Sequence, residues 1–337
     1  MDNIGWRPRS WEISAVLAAQ VSITAVQAEE ATKAPPPYKL FRYDEDYRYL
    51  RDPVRRGDFW DPIKYVPLDA AGDWFISFGG EIRERFEYYS HPNFSLQGQD
   101  ADDYLLQRAL LHADLHAGPY LRGFVQLGSH EAWWKDFAAP PYLDRLDVQQ
   151  AFGELRLPLT GDASRDPFLR VGRQEMAFGS QRLVAIRDAP NVRRNFDGIR
   201  MGGTFGDVRL DIFAMRPVEL LEDSFDDRSN RDQAFWGLYS TIPLTILPGG
   251  KADLYYLGLD NELARFAAGA GEEERHTVGA RFFGAHAGWD WDWEILGQVG
   301  SFGRQDIRAW GATTDTGYSF AAGGRTIRLG LKADIGS

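Results

Sequence analysis

The chain has 337 residues, carries 49 acidic against 38 basic side chains for a net charge of −11, and contains no cysteine. Those numbers exclude disulfides and thiolate metal centres and argue against a nucleic-acid partner, whose phosphates need a basic surface. Eleven Trp, 14 Tyr and 21 Phe stand beside 35 Gly, at a mean hydropathy of −0.40; a sheet with one greasy and one wet face has that composition.

The first 28 residues fit a secretory signal peptide. Arg7 and Arg9 form a basic n-region, Ile13 to Val26 is small and apolar, and Val26-Gln27-Ala28 offers small residues before Glu29. The alternative is a mis-assigned start upstream of an amphipathic helix. Export without cysteine points to the periplasm or outer membrane of a Gram-negative cell. Residues 29–72 are expected to form a periplasmic N-terminal segment and linker. Lys33-Ala34-Pro35-Pro36-Pro37 is extended, and Tyr38 to Leu68 is rich in charge and aromatics without a clean period. No run of 18 apolar residues occurs, so no spanning helix is expected. Spanning strands need only about 9–11 alternating residues each.

From Trp74 onward, period-two segments recur. Trp74, Ile76, Phe78, Ile82, Phe86 and Tyr88 alternate with Ser77, Glu81, Arg83, Arg85 and Glu87, which puts one apolar and one charged face on a strand. Leu105, Ala109, Leu111, Ala113 and Leu115 oppose Arg108, His112, Asp114 and His116; Ile327, Leu329, Leu331 and Ala333 oppose Arg328, Lys332 and Asp334. About thirteen such strands are expected in residues 73–337. Short turns ("AGPY" 117–120, "TFGD" 204–207, "AAGG" 321–324) alternate with long polar connections at Ser90–Asp102, Gly179–Asn195, Leu220–Asp232 and Asn261–Arg275. That layout is the one of an all-β, antiparallel transmembrane β-barrel.

In "GWDWDWEI" (288–295), Trp289, Trp291 and Trp293 are expected to face outward as an aromatic girdle at the rim, with Asp290, Asp292 and Glu294 inward. A soluble β-sandwich, such as a glycan-binding surface protein, is the alternative; it predicts strands of roughly 5–6 residues, and several segments here exceed ten.

"WDPIKYVPLDAAGDWFISFGGEIRERFE" (60–87), "FLRVGRQEMAFGSQRLVAIRDAPNVRRNFDGIRM" (168–201) and "GSFGRQDIRAW" (300–310) resemble the alginate-export family of outer-membrane proteins. The likeness runs from about Arg42 to the end of the sequence. It implies a single-chain barrel of about eighteen strands that passes a polar, anionic polysaccharide across the outer membrane. About thirteen strands are legible, so the barrel is expected to be incomplete at its C-terminus. The alternative within transport is a porin taking up small anions or sugars.

A passive channel needs lumen charges rather than catalytic groups, and no cofactor or metal is expected. Strand parity puts Arg83, Arg85, Arg108, Arg122, Arg156, Arg200, Arg209, Arg328 and Lys332 inside, among many inward acids. A network of paired charges that stiffens the wall is the competing account of each. Arg173 and Glu175 break parity, and either a bulge at Gly172 or departure from the bilayer would explain them. Arg182, Arg187, Arg193 and Arg194 lie in a loop expected to fold inward and narrow the pore, or else to bind lipopolysaccharide phosphates. Expected partners are outer-membrane lipid and lipopolysaccharide, a polysaccharide or other polar solute, and periplasmic export partners.

No enzyme signature stands out. His130-Glu131 lacks the second histidine of a zinc helix. His112 and His116, four apart on a strand, are roughly 13 Å from one another and cannot chelate one ion. The acidic stretches "GQDADD" (98–103) and "LEDSFDD" (221–227) could take calcium, with solvated loop charge as the plainer account.

Overall fold

The computed structural model describes residues 35–95, 101–136, 139–162, 164–267 and 269–337; the signal-peptide stretch lies outside them. One antiparallel sheet of fifteen strands dominates. Its strands are β1 (Val66–Pro67), β2 (Trp74–Ser90), β3 (Ala101–Ala117), β4 (Leu121–Trp133), β5 (Asp144–Arg156), β6 (Phe168–Glu175), β7 (Asn195–Phe205), β8 (Val208–Glu219), β9 (Arg228–Ser229), β10 (Gln233–Leu244), β11 (Gly250–Phe266), β12 (Gly269–His286), β13 (Trp289–Phe302), β14 (Gln305–Ala322) and β15 (Arg325–Gly336). Setting aside the two-residue β1 and β9 leaves thirteen, each paired with its neighbours in chain order. Among the described residues the sheet is open: β15 pairs only with β14, and the far edge of β2 pairs only with β1.

Parity explains the pairing. On β13, Trp289, Trp293, Ile295 and Val299 are exposed apolar side chains, as are Ile82 and Phe86 on β2 and Leu329 and Leu331 on β15. These outward residues face hydrocarbon. Glu294, between Trp293 and Ile295, is 7% exposed and accepts hydrogen bonds from Tyr255 and Arg182 inside.

Three expectations change in detail. The connection expected at Asn261–Arg275 is mostly strand: β11 runs on to Phe266 and β12 starts at Gly269, with a register shift after Asn261. Polar residues continue this hairpin past the apolar band, so its sequence looks like a loop. Of "GQDADD", Asp102 and Asp103 belong to β3, and Asp102 is buried in an ion pair with Lys135 at 2.8 Å. Of the two accounts of Arg173 and Glu175, a bulge at Gly172 is not observed, since β6 pairs with β5 and β7 without a register shift; an irregularity lies in β5, where the pairing with β4 passes from Gln126–Gln150 to Leu127–Val148 and Gln149 is extra. Gln149 and Gln150 are both buried as a result.

The interior is not simply wet. Tyr104, Leu106, Leu110, Phe124, Phe152, Phe213, Tyr239 and Tyr255 are buried on inward faces. Two segments cover them. Short helical turns at Arg42–Asp44, Arg48–Arg51, Pro53–Arg55 and Asp61–Lys64 carry the N-terminal stretch along the inner wall. Tyr43 stands edge-on to Phe124 and Phe152, at 5.9 and 5.4 Å between ring centroids, with the Arg170 guanidinium 4.2 Å over its own ring. Its hydroxyl donates to the Glu175 carbonyl at 2.9 Å, and burial pushes its pKa up to about 12. Leu50, Tyr65 and Phe75 form a second apolar contact. The other covering segment is residues 176–194.

A cation on the outward face meets hydrocarbon, whereas one on the inward face meets water and acids. Ile295→Arg is expected to destabilise the folded barrel by about 2–4 kcal/mol if the site is near the bilayer midplane. Leu296→Arg, one residue on and inward, is expected to cost far less. Urea titrations of the two variants in lipid vesicles make the comparison, and equal losses would contradict the assigned faces.

A loop across the lumen and the charged pore wall

The 176–194 connection leaves β6 and returns to β7, and it is tied down on three sides. Met176 and Val184 are buried with Phe196, Phe213, Met215, Tyr239, Tyr255 and Leu257, and Phe178 packs against the same group. This apolar anchor holds the loop to the inner faces of β7, β8, β10 and β11. Arg182 crosses to β13, 3.0 Å from Glu294. Asp188 reaches the opposite wall and meets Arg108 at 2.8 Å and Arg83 at 3.1 Å. The stretch from Arg182 to Asp188 covers at most about 20 Å when extended. The inner faces of β2 and β13, far apart in strand order, are therefore within one loop's reach, and the sheet is curled around it.

Asn191 locks the loop to the wall. It is fully buried, and its amide donates to the carbonyls of Gln107, Glu131 and Tyr142 at 2.9, 3.2 and 3.1 Å. Arg108, 1% exposed, donates to the Asn191 carbonyl at 3.1 Å and to Glu81 at 3.0 Å. Arg85 donates to the Pro190 carbonyl at 2.8 Å. Arg193 adds a 2.7 Å hydrogen bond to Asp188 and lies within 3.9 Å of Glu175. Burial works to raise the Asp188 pKa, but the Arg193 hydrogen bond and the Arg108 charge outweigh it and hold it down at about 2.

The four loop arginines thus divide. Arg182 and Arg193 are consumed in ion pairs inside the barrel. Arg187 and Arg194 are exposed, and neither has an acidic partner among the described residues. Burial, and then the Arg187 charge, lower the proton affinity of Arg194.

The other cations expected inside are nearly all neutralised. Arg122 meets Asp114, Arg156 and Arg170 share Glu154, Arg200 and Arg209 share Asp211, and Arg328 holds Asp290 and Asp315. Arg83, Arg85 and Arg108 belong to the loop's anchor. Lys332 is exposed and lies opposite Asp315. Arg122, Arg156, Arg200 and Arg209 also come together around a cavity of about 790 Å³ beside the N-terminal segment, toward the short-turn rim. Sequence alone does not single out Arg42, Arg170 or Arg281, which pair with Glu81, Glu154 and Asp292; Arg281 stands opposite Glu294 only through the β12–β13 register. The acids of that motif are counter-ions: Asp290 for Arg328, Asp292 for Arg281 and Glu294 for Arg182. Trp289 and Trp293 are exposed, whereas Trp291 is half-buried, 6.5 Å from the Trp293 ring. Arg173 keeps its outward parity, but the segment after β8 covers it: it donates to Asp197 at 2.9 Å and to the Asp227 carbonyl at 3.3 Å.

Two outcomes follow for the loop. Arg108→Ala removes the buried partner that Glu81 and Asp188 share, but Arg42, Arg83 and Arg193 remain on them, so a loss of about 1–3 kcal/mol is expected. Faster protease cleavage within 180–190 is the expected readout. The depressed Asp188 pKa gives a pH dependence of known sign. A carboxylate held low when folded contributes stability above its unfolded pKa of about 4 and loses it as pH falls toward 2. Cleavage is therefore expected to rise as pH falls below about 4, and Asp188→Asn should lessen the rise, the remainder coming from Glu81 on the same arginines.

Residues 75–337 match the alginate-export family. No match is found among curated proteins. Among solved structures the chain is similar to OccAB3 of Acinetobacter baumannii (12% identity, TM-score 0.49, 78% of this chain and 67% of that one). It is also similar to a BenF-like porin from Pseudomonas fluorescens Pf-5 (10%, 0.40, 78% and 99%) and to OpdO of Pseudomonas aeruginosa (13%, 0.39, 78% and 97%). With its family match covering every long strand and its wall arranged for lipid outside and charge within, the chain belongs to the alginate-export family of β-barrel channels in the Gram-negative outer membrane.

Proposed function

We propose that the chain lines a passive path for a polar, anionic polysaccharide, with the 176–194 loop as its constriction and no catalytic step. The observation that carries this reading is the pair Arg187 and Arg194. Other arginines tied to the loop face carboxylates or carbonyls at close range, so their fields are largely cancelled. These two stand together on the loop without a counter-ion among the described residues. A polyuronate presents one carboxylate per sugar, and neighbouring unpaired guanidiniums offset the cost of drawing it into a confined space. The net charge of −11 does not oppose this, because the Debye length is about 8 Å at physiological salt and distant surface acids are screened.

Arg182 and Arg193 are occupied by Glu294, Asp188 and Glu175, which takes them away from lipopolysaccharide phosphates. Uptake of small anions through the same constriction would use the same two cations, so solute size separates the readings.

Planar-bilayer recordings provide the test. Arg187→Glu with Arg194→Glu should turn anion preference toward cations, seen as a change in the sign of the reversal potential in a salt gradient. Oligouronates of several sugars should block the wild-type current at lower concentration than neutral dextrins of equal length, and the double variant should lose that difference. Unchanged selectivity would remove the constriction role. Equal block by neutral and acidic oligomers would favour a small-solute porin.

A further inference from the structure

The connection between β8 and β9 docks along the start of β5. Leu146 and Ser224 form a parallel bridge, the Phe225 N–H donates to the Leu146 carbonyl at 2.9 Å, and the Arg145 N–H donates to the Glu222 carbonyl at 3.3 Å. The Asp227 N–H donates to the Asp147 carboxylate at 3.0 Å. This docking brings one carboxylate oxygen from each of Asp144, Asp147 and Asp227 to within 4.8 Å of one another. Asp144 is 1% exposed and Asp147 4%.

The charges there do not balance. Arg173 is the guanidinium at the cluster, 3.6 Å from Asp147, and its other nitrogens are held by Asp197. One oxygen of Asp144 is buried with no hydrogen-bond partner at all. The nearest group from the adjacent strand, His130 Nδ1, lies 3.6 Å from the other oxygen, beyond hydrogen-bond range, and neither His130 nitrogen has a partner. Asp226, next in sequence to Asp227, also has a buried oxygen without a partner. A buried carboxylate left unpaired costs several kcal/mol, so something absent from the protein's own side chains is expected to answer it. Burial, with the charges of Asp144 and Asp147, presses the Asp227 carboxyl up to about 7 despite a hydrogen bond from the Leu221 N–H.

We propose that Asp144, Asp147 and Asp227 hold a divalent cation of calcium type, which fastens the 220–227 segment to β5. The donors are all carboxylate oxygens, which select a hard cation. Calcium bonds oxygen at about 2.3–2.6 Å, so any two oxygens around one ion stand at most about 5 Å apart, and the three groups fall within that limit. Magnesium needs shorter bonds and near-ideal octahedral geometry, which a strand and a loop joined by few bonds supply less readily. Three carboxylates and one divalent ion leave a single negative charge, and Arg173 faces it. The ion would also keep the segment closed over Arg173 and Asp197 at the outer edge of the wall. This site is independent of the solute and stands or falls apart from the channel reading.

The test uses the full chain refolded in detergent, stripped with EDTA and dialysed against radiolabelled calcium. One saturable ion per chain is expected, with an affinity in the range of about 10⁻⁵–10⁻³ M that suits three carboxylates and an exposed rim. Calcium should also slow trypsin cleavage at Arg228 and Arg231. Asp227→Asn and Asp144→Asn should each weaken binding by about tenfold or more and abolish the protection, with heat-modifiable gel migration reporting that each still folds. Should a variant fail to fold, the wild-type count and the calcium-dependent cleavage decide alone. Absence of saturable binding overturns the proposal. So does binding unchanged in both variants, which would place the ion on residual lipopolysaccharide. Protection gained on acidification from pH 8 to 6 and not with calcium would show protons in its place.

Discussion

Hydrocarbon offers a backbone no hydrogen-bond partner, and that constraint shapes the rest of this protein. Each N–H and C=O in the bilayer must be met by a neighbouring strand, which forces extended pairing, and extended pairing forces side chains to alternate. One face then meets lipid and the other is confined. Confinement has its own consequence for charge. An inward carboxylate sits among other strands' side chains with few waters, and many of them find an arginine. Asp211 gathers Arg200 and Arg209, Glu154 gathers Arg156 and Arg170, and Asp290 and Asp315 share Arg328. Arg200–Asp211, Arg170–Glu154 and the two Arg328 pairs join adjacent or next-adjacent strands and fasten the wall sideways, while Arg209–Asp211 and Arg156–Glu154 lie within one strand.

The same confinement lets the interior be built rather than left as water. The 176–194 loop carries both kinds of anchor in one short stretch. Its apolar residues rest on inward Phe213, Tyr239 and Tyr255, and its polar residues grip Arg83, Arg108 and the backbone of β3, β4 and the β4–β5 connection. Two walls pulling on one loop fix its position more firmly than either could. The N-terminal segment does the same toward the short-turn rim, through Tyr43 and the Arg42–Glu81 pair. What passes through must use the space that these two segments leave beside the remaining wall.

Alternation is a strong signal because a one-residue slip reverses every side chain, so the strands and the faces of Arg108, Arg200 or Arg328 were legible in the sequence. Parity also located most of the paired cations, though not their partners across strands, since register is set by long-range pairing. Three features were hidden for specific reasons. Leu106, Leu110, Phe124 and Phe152 are inward and apolar, and a lipid-out pattern has no place for them; only a segment distant in sequence gives them something dry to touch. The extra residue at Gln149 looks like any polar strand residue, because a bulge changes pairing and not composition. Asp144, Asp147 and Asp227 come from two segments some eighty residues apart in the chain, and nothing local marks them as neighbours.

Separating structural from free charge bears on how such a wall can acquire selectivity. If every inward arginine both held the fold and attracted the solute, any change of solute would disturb stability. On the proposed reading the two tasks fall on different residues. Arg108 and Arg170 are buried, Arg122 is half-buried, and all three are neutralised, so their removal would act on the fold. Arg187 and Arg194 contribute no ion pair among the described residues, so under the proposed function the sign of the field at the loop rests on them while the loop's position rests on others. A few exposed substitutions could then retune the passage for another polar solute without moving a strand, since the pairing and the anchors that set the geometry would be untouched.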